Sequence, residues 1–194
     1  MIILGFDPSK YTGWAVYDTD RHLSAMECGI LDIPKKADPY FAGEQIALRT
    51  TELLRQVGFK RIDFAVLEEQ ALAQIGRSNA AGIIYPWVST TAVVGQLAAF
   101  QIPYGTLPSG TWRTMFFGKG FKPPKDCNGK NAWKAAAIAQ CEMEGITLPT
   151  GASKHNAAEA CAVAVCWREA KVHAGRYHEP LMRLLQKRNE REAA

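Results

Sequence analysis

No stretch of the chain approaches the ~18 uninterrupted apolar residues of a membrane-spanning helix, so no membrane partner is expected. The first residues carry no basic segment and meet a carboxylate at Asp7. They make a poor signal peptide and a good first strand. The five cysteines, Cys28, Cys127, Cys141, Cys161 and Cys166, are scattered and never form Cys-x-x-Cys, which argues against a zinc site or a disulfide framework. A reducing cytoplasm is the expected compartment. Repeats and low-complexity tracts are also missing. What is present is ordinary globular material: 194 residues, 47% hydrophobic and 22% charged, enough for one domain with a real core. The expected division is a folded unit over residues 1–170 and a basic helical tail over 171–194.

The charge excess is small, 23 Lys and Arg against 19 Asp and Glu, but it is clustered. Between Gly110 and Ala135 lie Arg113, Lys119, Lys122, Lys125, Lys130 and Lys134, opposed only by Asp126. A local run of cations in a nearly balanced chain is the footprint of a polyanion partner. The tail has a similar excess, read as a solubilising surface.

Apolar runs and turn residues outline the order β-β-β-α-β-α-β-α-α. Strands are predicted at Ile2–Phe6, Gly13–Tyr17, Ser24–Ile33, Asp63–Leu67 and Pro103–Leu107, the first three forming an antiparallel meander. Helices are predicted at Phe41–Val57, stopped by Gly58, at Asn79–Phe100 with Pro86 inside, and at Thr111–Phe117 capped by Ser109. Two more follow, at Asn131–Met143 and over Asn156–Glu169, the last capped by Ser153. Loops are predicted at Gln70–Ser78 and Gly118–Gly129. The pattern predicts an α/β fold with a mixed sheet flanked by helices.

Asp7 and Glu68 each end an otherwise apolar strand. On adjacent parallel strands both acids emerge at the carboxyl edge of the sheet, where ligands bind in such folds. Paired carboxylates repel, and a divalent cation relieves the repulsion. A third acid, Glu159, stands in a run of small residues, His155-Asn156-Ala-Ala-Glu159-Ala-Cys-Ala-Val-Ala. There an unpartnered carboxylate is costly, and His155 and Asn156 lie four and three residues earlier, within reach of its helix face. Each acid alone has a bland reading, as a turn cap or a solvated charge. Their joint placement favours chemistry.

The segments around these acids resemble the RuvC-type Holliday-junction resolvases of the ribonuclease H-like superfamily. The opening Ile-Leu-Gly-Phe-Asp7-Pro-Ser-x-x-x-Gly13-Trp-Ala-Val is similar to their first strand and turn. Asp63-Phe-Ala-Val-Leu-Glu68-Glu69 is similar to the strand with their second acid, and the Glu159 segment to their last catalytic helix. Ile102-Pro103-Tyr104, Gly110-Thr111-Trp112, Gly118-Lys119-Gly120 and a helix bearing Lys134 resemble phage-encoded members. The likeness spans about residues 1–168 and implies a ribonuclease H-like mixed five-stranded sheet. It departs at Asn156, where an Asp or His is usual, at Glu159, where Asp is usual, and after Glu69. There Ala71, Leu72 and Ile75 stand where some members have an aromatic.

The resemblance implies a Mg²⁺-dependent endonuclease acting on branched DNA, most directly a four-way junction, with two Mg²⁺ per site and Mn²⁺ as a substitute. Asp7, Glu68 and Glu159 match the metal-binding acids, with Asn156 or His155 as the fourth ligand. His155 is alternatively a catalytic group that positions water or moves a proton. Lys119, Lys122, Lys125, Lys130, Lys134 and Arg113 are expected on DNA phosphates. A two-fold junction implies a homodimer, with Ala80–Phe100, carrying Tyr85 and Trp87, as its candidate interface. Competing expectations are a branched-DNA-binding protein without catalysis and a nuclease acting on RNA–DNA hybrid. An actin-like ATP-binding fold is set aside, because the chain is short and has no second phosphate loop.

Overall fold

The computed structural model describes residues 1–70, 80–123 and 130–167. Five strands form one sheet: β1 (Ile2–Asp7), β2 (Thr12–Asp18), β3 (Glu27–Leu31), β4 (Ile62–Glu68) and β5 (Tyr104–Leu107). Their order across the sheet is β3-β2-β1-β4-β5. The meander β1–β2–β3 is antiparallel, whereas β1, β4 and β5 run parallel. Five helices accompany them: α1 (Pro39–Val57), α2 (Ala80–Ala99), α3 (Ser109–Phe117), α4 (Lys130–Met143) and α5 (Lys154–Cys166). The expected mixed α/β sheet is present, and the three helices predicted at Thr111–Phe117, Asn131–Met143 and over Asn156–Glu169 are matched by α3, α4 and α5.

Side-chain alternation divides the core into two layers. Leu4, Phe6, Ala65 and Leu67 pack with Ile46, Leu54, Val93 and Leu97 of α1 and α2. Ile3, Ala15, Phe64, Val66 and Leu107 pack on the other face with Trp112, Cys141 and the small residues of α5. Ten of the 13 residues of α5 are buried, so this helix is central to its layer. Glycine and alanine make that possible. A Cβ at Gly5 would overlap the backbone carbonyl of Ala160, and one at Gly13 the carbonyl of Asn156. Those two glycines let α5 lie directly on β1 and β2.

Several boundaries differ from the sequence reading. Asp38 caps α1 through its carboxylate, which accepts from Tyr40 and Phe41 N–H, and Pro39 fills the first helical position. Ser109 is inside α3 rather than capping it, because extended Pro108 ends the strand and leads directly into the helix. Ser153 precedes α5 but makes no capping bond with its side chain. The third strand is shorter than predicted, since Leu23–Ala25 forms a 3-10 turn under His22. The predicted loop 71–78, Asn79, residues 124–129 (with Lys125 and Cys127) and the tail 171–194 lie outside the described residues. So do the side chains of Lys130 and Asn131.

Candidate active site

The β1–β4 pairing ends at Phe6 opposite Leu67. One residue further, Asp7 and Glu68 end adjacent parallel strands side by side. Parity then chooses their face. Asp7 follows Ile3 and Gly5, and Glu68 follows Phe64 and Val66, so both acids turn toward α5 rather than α1 and α2. Glu159 reaches the same point from α5. It stands one residue before Ala160, whose carbonyl faces Gly5. Asp7 and Glu159 are buried, at 8% and 6% exposure.

The three acids bear on one another electrostatically. Burial pushes the Asp7 carboxyl well above the usual carboxylate range, and the charges of Glu159 and Glu68 push it further. Burial, then Glu68, raises Glu159 to about 7. Glu68 is also raised by burial, an effect offset by the Trp112 indole, which donates Nε1–H to its Oε2 at 2.9 Å. Two cations oppose this crowding. Arg113 places Nη2 3.8 Å from Glu159 Oε1, and Lys134 bears on both Asp7 and Glu159.

Arg113 is itself held by aromatic faces. Its guanidinium lies 5.2 Å from the Trp112 ring and 5.1 Å from the Trp133 ring, a cation–π arrangement, and its buried Nε has no hydrogen-bond partner. The sequence reading grouped Arg113 and Lys134 with the phosphate-contacting lysines. The structure puts both beside the acids, with Lys119 and Lys122 exposed on the loop beyond. The adjacency of Trp112-Arg113 to the end of β5 was the available signal for this. A helix that starts directly after a strand must place its first turn at the same sheet edge.

Asn156 is buried and occupied. Its amide nitrogen donates to Ser9 Oγ at 3.1 Å and to the Tyr11 carbonyl at 2.5 Å. The turn it grips, which carries the chain from Asp7 into β2, is also tied to α2 through Ser89 Oγ on the Ser9 carbonyl, 2.7 Å. An aspartate in that place has no hydrogen to give to a carbonyl. His155 is half-buried, its Nδ1 3.2 Å from the Ala152 carbonyl. Burial and then the charge of Lys134 hold its pKa below the ordinary value. Glu69 turns away, accepting from Thr106 Oγ1 at 3.4 Å.

The chain superposes on Thermus thermophilus RuvC solved with a Holliday junction substrate, with a TM-score of 0.61 and 16% identity. The match covers 85% of this chain and 91% of that one. The fold is RuvC-like. A second Thermus thermophilus RuvC structure matches with a TM-score of 0.58 and 17% identity, over 87% of this chain and 96% of that one. A yeast mitochondrial Holliday junction resolvase matches with a TM-score of 0.44 and 13% identity, over 85% and 76%. No protein-family model and no curated protein matches the sequence. The mixed five-stranded sheet with its flanking helices is the fold of the two RuvC structures.

The donor chemistry of this RuvC-like edge suits a hard divalent cation: carboxylate oxygens, mutually repelling, and only partly balanced by Arg113 and Lys134. Among the described residues no group of three or more His, Cys, Asp or Glu side chains is placed, as it stands, to hold a metal ion. Mg²⁺ retains waters and takes phosphate oxygens to complete its shell, so it asks few ligands of a protein.

Proposed function

We propose that this protein is a Mg²⁺-dependent, structure-selective endonuclease that nicks branched DNA and resolves four-way junctions by paired, symmetric phosphodiester hydrolysis. The observation that carries the reading is the mutual repulsion of Asp7, Glu68 and Glu159, which come from two parallel strand ends and a central helix of a RuvC-like fold. The likeness to a RuvC solved with a Holliday junction supports the substrate class.

Asp7, Glu68 and Glu159 would hold the metal, with the Asn156 carboxamide oxygen as a further donor and Mn²⁺ as a substitute. When bound, the metal supplies Lewis-acid stabilisation of the phosphate and a more acidic water. The remaining functions belong to the chain. Trp112 fixes the rotamer of Glu68 through its indole N–H. Asn156 holds the Ser9–Tyr11 turn and with it the end of β1. Arg113 and Lys134 offset negative charge where a phosphate would enter. His155, with its lowered pKa, is neutral at pH 7 and so able to accept a proton from water. Lys119, Lys122, Lys125 and Lys130 contact flanking phosphates and bring salt-dependent affinity.

A homodimer places one site on each of two opposed junction strands. The layer of α1 and α2 leaves Tyr40, Phe41, Leu48, Ile84 and Trp87 exposed, an apolar surface suited to self-association. Tyr85 is not available to it in the same way, since its hydroxyl donates to the Ala37 carbonyl at 2.7 Å.

The test compares a labelled four-way junction, a linear duplex and an RNA–DNA hybrid, each with Mg²⁺. Paired nicks at symmetric positions in the junction alone are expected. Cutting of hybrid in preference to junction would transfer the protein to the hybrid-nuclease reading, and tight junction binding without nicks to a non-catalytic one.

A further inference from the structure

One side-chain cluster takes no part in this chemistry. At the end of α3, Phe117 stacks on Phe121 with ring centroids 4.7 Å apart and planes 17° from parallel. Trp133 of α4 lies 5.8 Å from Phe117 and 6.0 Å from Phe121, and Phe116 meets Phe117 edge-on at 5.2 Å. The intervening loop is built to fold back. Gly118 and Gly120 have φ of +88° and +86°, and nothing lies within 4 Å of where a Cβ would stand at either. Backbone conformation, not space, therefore calls for glycine at both positions. The Phe121 N–H closes the turn on the Gly118 carbonyl at 3.3 Å.

A single exposed phenyl is unremarkable on a protein surface. Phe121 differs in its company. It is 39% exposed, it belongs to a stack of rings, and exposed Lys119 and Lys122 stand on either side of it in sequence. The stack is also continuous with the acids: Phe121 meets Trp133, Trp133 meets the Arg113 guanidinium, and Arg113 meets Glu159. Aromatic faces interleaved with cations are how proteins hold unpaired bases, the rings stacking on the base and the cations on its phosphates.

We propose that Phe117, Phe121 and Trp133, with Lys119 and Lys122, form a stacking site for an unpaired base of the DNA strand that enters the acidic site. The occupant is a nucleobase released from pairing at a branch. An intact duplex keeps its bases stacked internally and offers no free face. The site thus adds a preference for branched over linear DNA to a surface whose lysines alone bind both. This inference rests on the nuclease reading for the choice of substrate, but its binding test does not require cleavage.

The test uses the full chain carrying Asp7→Asn, so that DNA is bound and not cut. The probes are a four-way junction with 2-aminopurine at the branch, a short single strand and a linear duplex. Phe121→Leu keeps apolar bulk and removes the π face; Phe121→Trp keeps the face. Thermal melting confirms that each variant folds. Phe121→Leu is expected to weaken junction and single-strand binding about tenfold, with duplex binding unchanged, and to abolish the 2-aminopurine fluorescence change. Phe121→Trp is expected to restore both. Equal binding by Phe121→Leu and its parent, or an equal loss on all three DNAs, overturns the stacking site. If Phe121 governs single-strand binding but the unmutated protein never nicks a junction, the stacking site stands and the resolvase reading falls. If the parent binds neither junction nor single strand, both fall.

Discussion

Glu159 is one of three acids whose burial costs the folded protein stability. Its carboxyl holds a proton more tightly folded than unfolded, with a pKa of about 7 against an ordinary 4.5. Between those values the native state binds the extra proton, so stability falls as pH rises through the window. The shift corresponds to about 3 kcal/mol. Metal-free protein should therefore melt at a higher temperature at pH 5 than at pH 7.5, and added Mg²⁺ should raise the melting temperature more at pH 7.5. Asp7→Asn removes one of the repelling charges and should stabilise the metal-free protein at neutral pH, an increase readable in the same melts. Arg113→Met should do the reverse, costing about 1 kcal/mol because the 3.8 Å pair with Glu159 is loose and partly exposed. It should also tighten Mg²⁺ binding in calorimetric titration, since a competing cation is gone. The three acids were legible in the sequence because each interrupts an apolar run. Arg113 was not, because a cation in a basic run carries no mark of which cation turns inward. Two tryptophans, one adjacent in sequence and one twenty residues later, decide that.

At the scale of elements, α5 determines whether the acids meet at all. Its alanines against Gly5 and Gly13 set the distance between Glu159 and the strand ends. Gly13→Ala should destabilise the fold by about 2–3 kcal/mol, since the new methyl must displace the backbone of Asn156, with a matching loss of melting temperature and of cleavage. The strands and long helices could be read in advance, because a period of two or of 3.6 is imposed by burial on one face. Their ends could not. Pro108 rather than Ser109 occupies the cap of α3, and the Asp38-Pro39 start of α1 was overlooked although its carboxylate accepts two backbone N–H groups. Caps depend on single φ/ψ choices, which periodicity does not report. The role of Asn156 was hidden for another reason. Its partners, Ser9 and Tyr11, are 147 and 145 residues away in sequence, and only the packing of α5 on β2 brings them together.

At the scale of the whole molecule, no helix among the described residues is long and apolar enough to cross a membrane. The helices α1 and α2 leave Tyr40, Leu48, Ile84 and Trp87 exposed. On the proposed homodimer, Trp87→Glu should leave the melting temperature nearly unchanged and shift the light-scattering mass to that of a monomer, with the proposed paired nicks giving way to single ones. The central claim is that Asp7, Glu68 and Glu159 act together on one phosphodiester. Its most direct measurement is Mg²⁺-dependent cleavage of a labelled four-way junction by the unmutated protein and by Asp7→Asn, Glu68→Gln and Glu159→Gln, with junction affinity measured in parallel. Each variant should bind the junction about as well as the parent and lose at least about a hundredfold in cleavage rate. Undiminished cleavage by any of the three would contradict the claim.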